Sequence, residues 1–127
     1  MKTIQDMIKD LTGIDVEKNK IIKYLEEEVL YLSGANLRCA VLQSADLQSA
    51  DLEETNLKNA NLEYANLRSA NLWCADLEYA NLEYANLRSA NLENACLVGT
   101  NLKNACLLGA RITKEQLDQL TVIEENE

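Results

Sequence analysis

The sequence predicts an all-β solenoid of square cross-section with helical ends, and three observations predict it. From Ala35 to Lys114 a five-residue unit recurs sixteen times, with Leu at its centre in every unit but that of Ile112, and Ala two residues earlier except at Thr55 and Thr100. A period of five suits neither regular alternative. At about 100° per residue it scatters the leucines around a helix, and in a continuous strand it sends alternate leucines to opposite faces. Finally, Ala60 to Leu72 reads ANLEYANLRSANL, and Ala80 to Leu92 repeats it without change. Stacked coils look most alike at the length of one coil, so twenty residues, or four units, make one turn.

Along the chain, the first 34 residues have a different texture. Thr3 can cap a short helix carrying Ile4, Met7, Ile8 and Leu11, ended at Thr12-Gly13. Asp15 can cap a longer one, whose apolar residues Ile21, Ile22, Leu25, Val29 and Leu32 recur at helical spacing until Ser33-Gly34. Residues 1–34 therefore read as an N-terminal helical cap that protects the first coil from pairing with another chain.

Residues 35–112 are the coil, about four turns of it. Ala and Leu, two apart, share one side of a short extended segment and point inward, and the remaining residues turn the chain. Asn or Asp precedes the central residue in twelve units, where it can hydrogen-bond the local backbone at the corners; Val41, Cys96, Cys106 and Arg111 are the exceptions. Sixteen buried central residues, at about 1.5–3 kcal/mol each, supply a gross driving force of tens of kcal/mol before chain entropy.

Residues 113–127 close the other end. Thr113-Lys-Glu-Gln116 has the form of a capping box and opens a short helix with Leu117 and Leu120 facing one way, followed by an acidic tail. Val122 and Ile123 can pack onto the end or onto a second copy, and Val98 and Leu108 take outward positions in the final coil. Leu117, Leu120, Val122 and Ile123 thus mark the C-terminal end as the expected place for a homodimer contact.

The tandem A(N/D)LxX units resemble the pentapeptide-repeat family over about 80 of 127 residues. The resemblance implies a right-handed quadrilateral β-helix. It also raises a function, since some members resemble duplex DNA in shape and charge and inhibit or protect a type II topoisomerase such as DNA gyrase by binding it in place of DNA.

Chemistry is constrained by what the composition lacks. There is no histidine, the commonest general base and a common metal ligand. In a four-sided register Glu63 and Glu83 occupy one outward slot in successive coils, as do Arg68 and Arg88, so these charges read as a solvated ladder. Cys39, Cys74, Cys96 and Cys106 lack metal spacing, and Cys96 and Cys106 face opposite directions; they read as reduced thiols, which with no leader and no long apolar run points to a cytoplasmic protein. No cofactor, catalytic residue or membrane contact is expected. Tyr64 and Tyr84 stack in register, with Tyr79 one unit before and Trp73 on a neighbouring side, a candidate surface for a protein partner.

The net charge of −9 is unevenly spread. Residues 1–34 carry 5 basic and 7 acidic groups, residues 35–112 carry 6 and 9, and residues 113–127 carry 1 and 5. The coil, the part that would imitate DNA, is only mildly acidic, and at about 4.8 Å per coil it is as long as some five or six base pairs. No face gathers enough Lys or Arg to bind nucleic acid directly. The leading expectation is a non-enzymatic protein-interaction or structural module, with topoisomerase binding by DNA mimicry second.

Overall fold

In the computed structural model the backbone is described over residues 30–124 and the side chains over residues 30–120. The helices expected before residue 30 lie outside the described residues, as do the side chains of Val122 and Ile123.

The coil is built as its spacing requires. Thirteen parallel backbone pairings, from Tyr31 with Asp51 to Asn91 with Arg111, each join residues twenty apart. One turn is therefore four units. Around the unit beginning at Ala60, the Asn61 N–H donates to Ala40 O at 2.9 Å, the Leu62 N–H to Asn81 O at 2.7 Å and the Tyr64 N–H to Glu83 O at 3.0 Å. The Ala65 N–H closes the corner on Leu62 O at 2.9 Å. The second residue after each Leu sits at positive φ, near 60°, whether it is Ser49, Asn59 or Tyr64. That is the type II turn pattern, left-handed only at its second central residue.

Asn and Asp before each Leu do what the sequence expects of them. In all twelve such units, as where Arg38 N–H donates to Asn36 Oδ1 at 3.2 Å, the side-chain oxygen accepts the backbone N–H two residues on. Inside, Leu42 to Leu92 form a fully buried column, with alanines filling the space beside them. The hydroxyls of Thr55 and Thr100 are buried in alanine positions and donate to Leu52 O and Leu77 O at 2.8 and 2.7 Å.

The start of the coil differs from the expected boundary at residue 35. Leu30-Tyr-Leu32-Ser-Gly34 is already a coil unit: Leu30 and Leu32 are buried, Tyr31 pairs with Asp51, and Gly34 takes the left-handed corner. Leu32 thus belongs to the solenoid and not to a helix. A Leu-x-Leu triplet satisfies the same inward alternation as Ala-x-Leu, and it outweighs the helical spacing of Leu25, Val29 and Leu32.

At the other end a helix runs from Lys114 to Glu124. Its capping box forms as expected: the Thr113 N–H donates to Gln116 Oε1 at 2.8 Å and the Gln116 N–H to Thr113 Oγ1 at 3.2 Å. Leu117 and Leu120 do not share a face. Leu120 packs against the core while Leu117 is exposed. The reason is the open backbone of the last coil, which buries Gln116 and holds the amide oxygen of the exposed Gln119 at its edge, turning Leu120 toward the core and Leu117 away. Gln116 Nε2 donates to Ala95 O at 2.9 Å and Leu92 O at 2.6 Å, and Gln119 Oε1 accepts the Leu97 N–H at 3.0 Å. Among the described residues, no helix is long and apolar enough to cross a membrane.

Candidate functional site

With Ala and Leu inside and Asn or Asp occupied at the corners, each unit leaves two outward residues free to vary. The twenty-residue register arranges them in columns parallel to the solenoid axis, one rung of about 4.8 Å per coil. Numbering sides from the unit at Leu30, side one comprises the units at 30, 50, 70, 90 and 110, side two those at 35, 55, 75 and 95, and sides three and four follow.

The expected aromatic surface is partly assembled. Tyr64 and Tyr84, on the corner between sides three and four, stack with ring centroids 4.9 Å apart and planes within 3°. Both rings are exposed, and both residues hold φ at 62°, a region bulky side chains seldom enter. Tyr79, exposed on the corner between sides two and three, lies over Gly99: a Cβ there would stand 2.5 Å from two ring carbons of Tyr79. Trp73 is separate from them. It belongs to side one, opposite the side that Tyr64 and Tyr84 close, and is half-buried. The four aromatics therefore offer two surfaces and not one.

The charged columns also follow the register. Gln43 Nε2 donates to Glu63 Oε1 at 3.3 Å on side three. On side two, Lys58 lies 3.6 Å from both Asp76 and Glu78. Arg68 and Arg88 stand exposed on side four, and neither forms an ion pair within the described residues.

Little in this surface is suited to bond-making chemistry. Among the described residues no group of three or more Cys, Asp and Glu side chains is placed to hold a metal ion. All four cysteines are free thiols. Burial, then the carboxylates of Glu54, Glu53 and Glu93, pushes the Cys74 thiol up from its ordinary value, which suppresses the nucleophilic thiolate. The cleft between the C-terminal helix and the last coil, about 460 Å³, is lined by Cys96, Thr113, Glu115, Gln116 and Gln119.

Two features lie outside the expectations drawn above, although the sequence carries a signal for each. The glutamine amides that complete the last coil's backbone could have been sought at residue 116, where the register places the next rung. The column Glu53, Trp73, Glu93 on side one is visible by the same twenty-residue count.

The comparisons agree with this geometry. The family model for pentapeptide repeats matches residues 35–73 and 74–109 in eight copies. The pentapeptide repeat protein Rfr23 from the cyanobacterium Cyanothece 51142 is 49% identical at a TM-score of 0.64, over 66% of this chain and 57% of that one. HetL, a pentapeptide repeat protein involved in heterocyst differentiation regulation in the cyanobacterium Nostoc sp. strain PCC 7120, is 38% identical at a TM-score of 0.65, over 67% of this chain and 39% of that one. The chain therefore spans little more than half of the first and about two fifths of the second. No curated protein matches it. The repeat, its twenty-residue register and these matches agree that the chain belongs to the pentapeptide-repeat family, whose members form right-handed quadrilateral β-helices.

Proposed function

We propose that the protein is a non-enzymatic interaction module whose principal contact surface is the Tyr64–Tyr84 corner. The observation that carries this reading is the stacked, exposed tyrosine pair held at positive φ on a rigid coil. Large aromatics on a pre-organised backbone give contact area at low entropic cost, the usual basis of a protein-binding hot spot. Ser44, Ser69 and Ser89 occupy equivalent corner positions, so Tyr64→Ser/Tyr84→Ser keeps a residue this fold already accepts. Comparative pull-down at physiological salt, with wild type and the double variant as bait, tests the reading. Proteins captured by the wild type and lost by the variant support it; identical capture by both overturns it.

Self-association through the C-terminal end belongs to the same proposal. Val98, Leu108 and Leu117 are exposed there. Sedimentation velocity of Leu108→Lys/Leu117→Lys against wild type reads it directly, with a concentration-dependent dimer lost in the variant. A cytoplasmic setting is part of the proposal too, supported by the four free thiols. Binding a type II topoisomerase as a DNA mimic is the weaker reading. A mimic needs continuous acidic faces, whereas side four presents Arg68 and Arg88 in one column.

A further inference from the structure

We propose that side one of the coil docks a basic, arginine-containing polypeptide segment of a partner protein, with Trp73 as the cation platform between Glu53 and Glu93. This rests on the interaction-module reading and specifies a second surface and the chemistry that it selects.

Side one differs from the others in what its columns hold. Backbone pairing of Asp51 with Asn71 and of Asn71 with Asn91 fixes the register. Trp73 therefore sits one rung of about 4.8 Å from Glu53 and one from Glu93 in the same outward column, with the two carboxylate-bearing positions about 10 Å apart. No other unit places an aromatic residue directly after its central Leu or Ile. Asp51 and Glu54 share the rung of Glu53. The carboxylate of Glu53 is held in place: Asn71 Nδ2 donates to Glu53 Oε2 at 3.0 Å, and Asn91 Nδ2 to Asn71 Oδ1 at 3.4 Å. Among the described residues, the one ion pair on this side joins Glu93 to Arg111 at 4.0 Å, between well-exposed groups. Such a pair contributes little and yields readily to a better-placed cation. The shared field of Glu54, Glu53 and Glu93 is already registered by the Cys74 thiol, which they push up beyond the effect of its burial.

An indole flanked by carboxylates suits a guanidinium better than other ligands. The flat, weakly hydrated cation stacks on the ring face while its N–H groups reach the acids. A nucleic acid would be repelled. A divalent ion needs converging oxygens, and here the indole separates the two glutamates. An extended peptide advances about 3.3 Å per residue, so cations three residues apart span the distance between the Glu53 and Glu93 positions.

Trp73 is the only tryptophan of the chain, so emission excited selectively over that of the five tyrosines reports this site alone. The test titrates the full-length protein with a synthetic arginine-glycine peptide at low and physiological salt. The expected result is a saturable change in Trp73 emission, with Glu53→Gln/Glu93→Gln weakening binding by about tenfold or more. Glu63→Gln/Glu83→Gln, the same charge change on side three, should leave binding within about twofold. Trp73→Ala, followed by calorimetry with circular dichroism to verify folding, should weaken it as well. Equal losses in the two glutamine pairs, no saturable emission change, or the same change produced by calcium chloride or duplex DNA in place of the peptide would each overturn the proposal. Failure here, with partner capture still dependent on Tyr64 and Tyr84, removes the side-one assignment and leaves the module reading standing.

Discussion

The backbone N–H of Leu97 donates to Oε1 of Gln119 at 3.0 Å, taking from a side chain the bond that Leu77 N–H takes from Cys96 O in the coil below. Gln116 acts in the same way from the other direction. Its Nε2 reaches Ala95 O at 2.9 Å, where one coil earlier the Cys96 N–H reaches Ala75 O. Two glutamine amides thus stand in for one rung of the missing fifth coil. Gln116→Ala takes the donor from the Ala95 carbonyl, while Leu92 O keeps the Ala95 N–H, and should cost about 1–3 kcal/mol. At several degrees of Tm per kcal/mol for a domain of this size, a melt resolves that loss. Amide exchange at Leu97 should accelerate in Gln119→Ala. An unchanged melt in the first variant and unchanged exchange in the second would mean that the helix is not the cap.

Leu67 is completely buried while its neighbour Arg68 is exposed. Leu67→Glu drives a carboxylate into the leucine column with no partner and should destabilise by on the order of 4 kcal/mol or more. Arg68→Glu should stay within about 0.5 kcal/mol of wild type. Thermal melts of the two variants check the inward and outward assignment, which similar shifts would contradict.

The repeat was legible because its interior follows simple rules. Ala and Leu two apart, Asn at the corner and a twenty-residue echo determine the register before any coordinate is known, and Tyr64 over Tyr84 follows from that register. The start of the coil was less legible. Leu30-x-Leu32 satisfies solenoid alternation and helical spacing at once, and the hydrogen bonds to the next rung decide between them. The outward turn of Leu117 is not legible for a related reason: apolar spacing in a short helix says nothing about an adjacent backbone edge that needs amides. Trp73 was legible as a surface residue, but its bracketing carboxylates appear only when the column is read vertically.

The ring of Tyr79 occupies the space that a Cβ at Gly99 would need, and the two should be energetically coupled. Gly99→Ala places a methyl group against the ring at a backbone φ of 69°, so it should destabilise by about 1 kcal/mol or more. In a Tyr79→Ser background the steric part disappears, and the double-mutant cycle should show a coupling of at least about 0.5 kcal/mol. Additive costs in denaturant unfolding would indicate that the ring moves aside freely.

Cys74 is held protonated by its burial and by the acids around it. Alkylation proceeds through the thiolate, so Cys74 should react more slowly with iodoacetamide than an ordinary exposed thiol at mildly alkaline pH, and its rate should rise with pH along a curve displaced upward. Glu54→Gln removes one raising charge and should move that curve back down. Mass-spectrometric rates at each pH, read in wild type and variant, check the sign; an upward displacement in Glu54→Gln would refute the electrostatic account.

The central claim is that a partner sits on the tyrosine corner. It is tested most directly by placing a photo-crosslinking phenylalanine analogue at residue 84 and, as the control, at residue 49, a serine corner of the same solenoid at φ 61° against 62°. The account predicts a discrete crosslinked protein from position 84 and none from position 49. Equal crosslinking at both positions, or none at either, would contradict it.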